Sequence, residues 1–237
     1  MFRQILQAVD AALLPHAANC LVCEDPRRAD DKYCLCPDCR AQLLKLRLTE
    51  GLCPRCMTPM NGRGECRYCK TGGMEGLRAG YGAYVYAPPA NTLVKALKFG
   101  YTDEAAEALC AFLPMVFPAH EYDALVPVPL HPARQRLRGI NQAELICRLT
   151  GPRVGLPVLP LLRRVRNTRP QARMDAAHRA GNLRGAFAAD PAAEGLRLLL
   201  VDDVRTTGAT ARACADVLTA AGATYVSILT PCIAVKQ

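Results

Sequence analysis

The sequence predicts an α/β protein, a mainly parallel sheet flanked by helices, preceded by a small Cys-rich domain. Three observations lead there. Nine cysteines crowd between Cys20 and Cys69, mostly in C-x-x-C pairs. From about Tyr81 onward, short apolar runs alternate with amphipathic segments. One of those runs, Leu196–Val201, ends abruptly in two adjacent aspartates and a Thr/Gly-rich turn. Strands alternating with helices argue for a parallel sheet, because parallel neighbours need a crossover between them. The boundary is placed between residues 75 and 76, giving domains 1–75 and 76–237.

The first segment, residues 1–14, carries Phe2, Ile5, Leu6, Val9, Leu13 and Leu14 at helical spacing. It reads as a short amphipathic helix rather than a secretory leader, because Asp10 interrupts it and no apolar core forms. No stretch of the chain reaches the roughly 18 uncharged apolar residues of a membrane span. A cytoplasmic protein without a membrane span is expected.

Four C-x-x-C pairs follow: Cys20 with Cys23, Cys36 with Cys39, Cys53 with Cys56, and Cys66 with Cys69. Two residues between thiolates let a tight turn aim both sulfurs at one ion, and two such turns complete a tetrahedral site. The sequential pairing joins Cys20, Cys23, Cys36 and Cys39 around one structural Zn2+, and Cys53, Cys56, Cys66 and Cys69 around a second. The sequential pairing is the economical one, and a crossed arrangement, with the first pair joining the third, stays open. Iron accepts four thiolates too, but zinc is the commoner occupant of closed sites. Cys34 is a spare, and Cys110, Cys147, Cys214 and Cys232 read as buried small hydrophobes. Each metal site of four thiolates is a net dianion, which argues against this region as the main surface for nucleic acid.

In the second domain, strands are expected at Tyr81–Tyr86, Ala124–Pro129, Leu196–Val201 and Tyr225–Ala234. Helices are expected at Thr92–Phe99, Ala105–Val116, Asn141–Thr150 and Ala209–Ala221. The chain has a formal charge of +9, and the excess is local. His131 to Arg184 holds 12 arginines against only Glu144 and Asp175. Such a zone suits a polyphosphate or a nucleic-acid backbone. With 5% aromatics and no tryptophan, a base-stacking platform is disfavoured.

The chemistry concentrates in Leu198–Thr210, LLLVDDVRTTGAT. Ligands of open parallel sheets bind beyond the carboxyl ends of the strands. Gly208 permits close backbone approach, Thr206, Thr207 and Thr210 offer hydroxyls, and the following helix offers unpaired N–H groups for a phosphate. Asp202 and Asp203 suit the paired hydroxyls of a ribose.

The stretch Val201–Thr210, VDDVRTTGAT, resembles the phosphoribosyl-pyrophosphate (PRPP) signature of type I phosphoribosyltransferases. Two further stretches, PVPLHPARQRLRGINQAELI and RRVRNTRPQARMDAAHRAGNLRGAF, resemble the competence protein F (ComF)/GntX family, with Thr168, Gln171, Arg179, Asn182 and Phe187 in place. A departure is Met174-Asp175, where the family more often has Leu followed by Ser or a similar residue. The resemblance implies a type I phosphoribosyltransferase fold behind a zinc-ribbon domain. It implies that Asp202 and Asp203 hold the ribose and that Thr206, Thr207, Gly208, Ala209 and Thr210 hold the 5′-phosphate. Val128 and Pro129 would lie near the pyrophosphate, with Arg138 of the RG-x-NQ motif and Lys98 as further anion contacts. Mg2+ would arrive with PRPP. Residues 163–184 would form a hood over the site.

As an enzyme, such a protein displaces pyrophosphate from an anomeric carbon, and the sequence shows no acceptor. As an accessory protein of DNA uptake or DNA use, it keeps the fold as a nucleotide sensor or scaffold. Single-stranded DNA and the competence or DNA-uptake machinery are then the implied partners.

Overall fold

The computed structural model describes residues 19–25, 34–99, 102–166, 183 and 185–235. The expected N-terminal helix lies outside these. So do Thr168, Gln171, Met174, Asp175, Arg179, Asn182 and Arg184.

Four strands form the body of the sheet: β1 (Gly80–Val85), β2 (Ala124–Pro127), β5 (Arg197–Val201) and β7 (Tyr225–Ile233), in the order β1-β7-β5-β2. Every pairing in it is parallel, and short β6 (Val204–Arg205) continues alongside β7 where β5 stops. Between β2 and β5 in sequence, β3 (Leu162–Arg164) and β4 (Phe187–Ala189) form a separate antiparallel pair. That pair brackets only the last part of the Arg-rich zone in sequence, and no strand was expected at either position.

The helices are α1 (Pro37–Lys45), α2 (Arg67–Lys70), α3 (Ala90–Phe99), α4 (Thr102–Cys110), α5 (Pro132–Arg138), α6 (Gln142–Val154) and α7 (Ala209–Ala220). The helix expected to reach Val116 ends at Cys110 and gives way to a 3-10 turn at Leu113–Met115. Pro114 explains this: it has no N–H to donate, and its ring collides with the carbonyl four residues back. Conversely, α6 runs past Thr150 to Val154 and stops at Gly155 in the left-handed region.

In β5, Leu198, Leu199, Leu200 and Val201 are fully buried, as a strand covered on both faces must be. Leu199 and Val201 face a core shared with α3, α4 and α6, and Leu198 and Leu200 face one shared with α7, β3 and β4. The cysteine segment contributes to both: Cys20, Cys36 and Cys39 join the first core, and Cys53, Cys56, Cys66 and Cys69 the second. It also covers the free edge of β1. Arg47 bridges Tyr84 in antiparallel fashion, Leu48 N–H donates to Ala83 O at 2.9 Å, and Val85 N–H donates to Leu46 O at 2.9 Å. A covered edge cannot recruit strands from other molecules.

Truncating Leu199 to Ala should lower stability by about 2–5 kcal/mol, as for buried leucines elsewhere. In urea unfolding the midpoint should fall at an unchanged slope.

Candidate functional site

The strand ends build the site. β2 and β5 run in register, Pro127 beside Val201, and Val128 N–H donates to Val201 O at 2.9 Å. Val128-Pro129 and Asp202-Asp203 therefore leave the sheet side by side at its carboxyl edge. The Asp202 carboxylate accepts the Asp203 N–H at 2.9 Å. Lys98, at the end of α3, places its Nζ 2.7 Å from the Asp203 carboxylate. The structure thus brings Lys98, Asp202, Asp203 and Val128 together.

Asp202 is half-buried. Burial, and then the neighbouring Asp203 charge, push its carboxyl up to about 7, against the opposing pull of the Asp203 N–H, Lys98 and Arg164. Two adjacent carboxylates short of solvent favour a neutral partner or a ligand that donates hydrogen bonds.

Beyond the aspartates the chain turns through Thr206 and Thr207 to Gly208, which stands at φ +69° as the cap of α7. Only a glycine fits there. Besides the positive φ, a Cβ would lie 2.1 Å from the Tyr68 hydroxyl and 2.9 Å from Gly73 O. The concavity inside the turn is lined by Asp202, residues 204–211, Ile228 and Thr230. Ala209 and Thr210 form the first turn of α7, where backbone N–H groups lack partners in the helix.

The RG-x-NQ motif divides its labour. Asn141 caps α6 by accepting the Ala143 N–H at 3.1 Å, and its amide donates to Val128 O at 3.1 Å. Buried Gln142 donates to Leu97 O at 3.1 Å, next to Lys98. Both residues hold the site's walls and do not face into it. Arg138 is exposed and donates to Gln142 Oε1 at 3.2 Å. The motif is visible in the sequence, but this positioning role is not, because it needs the contact between α3 and α6.

Arg205 and Arg212 were also missed. Arg205, although charged, is buried and donates to Cys56 O and to the Thr58 hydroxyl at 3.1 Å. Arg212 donates to both Gly73 O and Thr207 O at 2.9 Å. An Arg inside a helix gives no sequence sign of the carbonyls it will meet. A groove of about 920 Å³ is lined by residues within 58–73 together with Arg205, Thr206, Thr207, Arg212 and the end of β7.

The sulfurs assemble in the sequential pattern: Cys20, Cys23, Cys36 and Cys39 in one group, and Cys53, Cys56, Cys66 and Cys69 in another, each within 4.8 Å. Sulfur separations of 3.5–3.8 Å recur, such as Cys56 to Cys66 and Cys23 to Cys36. A tetrahedron with Zn–S bonds of about 2.3 Å has S···S edges of about 3.8 Å, so both groups could hold structural zinc. Disulfides, at about 2.05 Å, do not fit. The thiols also titrate unequally. Burial raises Cys20, yet the N–H groups of Cys36, Cys23 and Val22 outweigh it and bring the thiol down to about 7. Cys53 behaves alike, also near 7, while burial and neighbouring thiols push Cys39 and Cys69 up. Four thiolates need a cation between them. Cys34 stands outside both groups, and Cys110, Cys147, Cys214 and Cys232 are buried singly.

No family model matches the chain. Among curated relatives, the DNA utilization protein YhgH of Salmonella typhi is 36% identical over 155 residues, spanning 62% of this chain and 68% of that protein. The chain belongs to the ComF family. Another relative, competence protein ComFC of Bacillus subtilis, is 27% identical over 216 residues, 82% of this chain and 86% of ComFC. Among solved structures, the glutamine PRPP amidotransferase from B. subtilis complexed with ADP and GMP is 24% identical, with a TM-score of 0.38. It matches over 54% of this chain and 27% of its own length. This ComF-family chain has a parallel sheet flanked by helices, with its acidic pair and Thr/Gly turn at one strand end, and a Cys-rich N-terminal region. Among the described residues, no helix is long and apolar enough to cross a membrane.

The raised Asp202 carboxyl sets a pH dependence. Its folded value, about 7, exceeds the ordinary 3.8, so its contribution to stability is complete below 3.8 and is lost as pH rises toward 7. Asp202→Asn should therefore raise the denaturant midpoint at pH 8, and the gain should shrink steadily between pH 7 and pH 4. Separately, chelation or Cys53→Ser should expose the Cys-rich segment to protease, because metal binding supplies its folding energy.

Proposed function

We propose that this protein binds PRPP or a closely related nucleotide at the end of β5 and acts in DNA uptake or DNA utilisation. The observation that carries the reading is the junction itself, a buried strand delivering Asp202 and Asp203 beside a turn that opens onto the N-terminus of α7. In this reading the two carboxylates accept the ribose hydroxyls. Thr206, Thr207, Gly208, Ala209 and Thr210 surround the 5′-phosphate, where backbone N–H groups and the helix dipole favour an anion. Val128, Pro129, Lys98 and Arg138 serve the pyrophosphate side. Lys98 would exchange its contact with Asp203 for the ligand's anion as the ribose takes over that carboxylate.

Mg2+ would enter with the pyrophosphate. Among the described residues, the groups of three or more ligand-type side chains that gather closely are the two cysteine quartets. If the protein is a catalyst, its own share is positioning and electrostatic support of the leaving pyrophosphate. Residues 1–75 would then be a zinc-organised unit and residues 76–237 the phosphoribosyl unit. A cytoplasmic setting fits, since thiols stay reduced there.

The DNA role rests on the names of the relatives, DNA utilization protein YhgH and competence protein ComFC. The Arg-rich stretch supports it as a backbone contact for single-stranded DNA. Arg163 and Arg166 are exposed at the edge of β3, and Arg164 lies over the Phe187 ring at 5.3 Å. In the accessory reading that contact is the main activity, and the phosphoribosyl site is a sensor.

Titration calorimetry of PRPP with magnesium into the zinc-loaded protein tests the first claim. Asp202→Asn/Asp203→Asn should weaken binding by at least about tenfold, given about 1.5–3 kcal/mol for each charged hydrogen bond lost. No heat from the intact protein would sink the ligand assignment. For DNA, changing Arg163, Arg164 and Arg166 to Ala should flatten the plot of log affinity against log salt by about two or three units. Equal slopes would remove that surface from the reading.

A further inference from the structure

The segment that carries the second cysteine quartet touches the strand-end turn at three successive places. Before the turn, Arg205 donates to Cys56 O and stands 5.3 Å from the Tyr68 ring. After it, Arg212 ties Thr207 O to Gly73 O, 2.9 Å from each. Between them the Tyr68 hydroxyl presses on Gly208, where a Cβ would come within 2.1 Å of it. That hydroxyl is buried and makes no hydrogen bond among the described residues. Gly73 is packed as tightly beneath the ring, a Cβ there falling 2.3 Å from a ring carbon. Tyr68 itself lies on α2 between Cys66 and Cys69, so two sulfurs of one quartet flank it in sequence.

We propose that the second quartet is the outer wall of the phosphate turn, and that Tyr68 is the positioning residue by which it fixes that turn's shape. The inference rests on the ligand reading above for its functional consequence, though not for its geometry. Gly208 occupies a left-handed backbone that has open alternatives, and its N–H begins the helix end that would face the anion. A rigid side chain against it removes those alternatives before a ligand arrives, which is how a backbone anion site is preorganised. A metal on Cys66 and Cys69 would hold the backbone on either side of Tyr68. The wall would then be firm only while the quartet is loaded. The Cys-rich segment thereby acquires a task at the phosphoribosyl site, performed without touching the ligand.

The test uses the full-length, zinc-loaded protein with two variants, Tyr68→Phe and Tyr68→Ala. Amide hydrogen exchange is read over residues 204–210, with α6 as the reference, and PRPP affinity is measured beside it. In Tyr68→Ala, exchange at Thr207–Ala209 should rise at least tenfold with α6 unchanged and two zinc equivalents retained. PRPP binding should weaken at least tenfold. Tyr68→Phe, which keeps the ring, should fall between this and the wild type. Removing zinc from the wild type should reproduce the faster exchange, and adding zinc back should reverse it. Unchanged exchange over residues 204–210 in Tyr68→Ala overturns the proposal, and so does an equal rise in α6, which would make Tyr68 a general core residue. If the wild type binds no PRPP, the ligand reading fails while the exchange data still decide this inference.

Discussion

Burial of β5 on both faces is the constraint around which this molecule is arranged. A strand with Leu198 and Leu200 in one core and Leu199 and Val201 in the other can neither slip nor rotate without exposing an apolar side chain. Its end is therefore fixed in space, and the first residues that can be polar are Asp202 and Asp203. The register with β2 then delivers Val128 and Pro129 to the same edge. Flexible side chains are needed only to complete the arrangement, as Lys98 does from α3.

The cysteine segment shares this logic. Sulfurs of both quartets contribute buried surface to the cores, one set on each face of the sheet. A loaded quartet is a net dianion, and the protein places cations and donors accordingly. Arg205 lies buried against Cys56 O, and the Cys66 N–H donates to the Cys53 sulfur at 3.3 Å. Buried guanidinium groups are tolerated only where each N–H finds an acceptor or an opposite charge. The carbonyls of the cysteine turns supply such acceptors, so the metal region and the strand-end turn stabilise one another.

The acidic pair stands in a balance that a ligand would tip. Asp203 already has Lys98 as counter-ion, while Asp202 is held near neutrality by its surroundings. Hydroxyls that donate to both carboxylates would favour ionised Asp202, and an anion nearby would draw Lys98 away from Asp203. A ligand carrying both features would offset the cost of holding two carboxylates side by side.

By itself the sequence determined the parallel α/β architecture, the strand-end turn and the eight clustered cysteines, because each is written in local pattern: apolar runs, the DD-x₂-TTGAT string, and C-x-x-C spacing. The sequential grouping of the sulfurs was one of two pairings open at that level, and only the folded chain shows which pairs approach. The β3–β4 pair, the cap and anchor roles of Asn141 and Gln142, and the attachment of the Cys-rich segment to Gly208 through Tyr68 were decided by tertiary structure alone. Each depends on groups far apart in sequence, such as Gln142 with Leu97 or Arg212 with Gly73. Local pattern records what a residue prefers, whereas a hydrogen bond to a distant carbonyl exists only once packing has brought that carbonyl within reach.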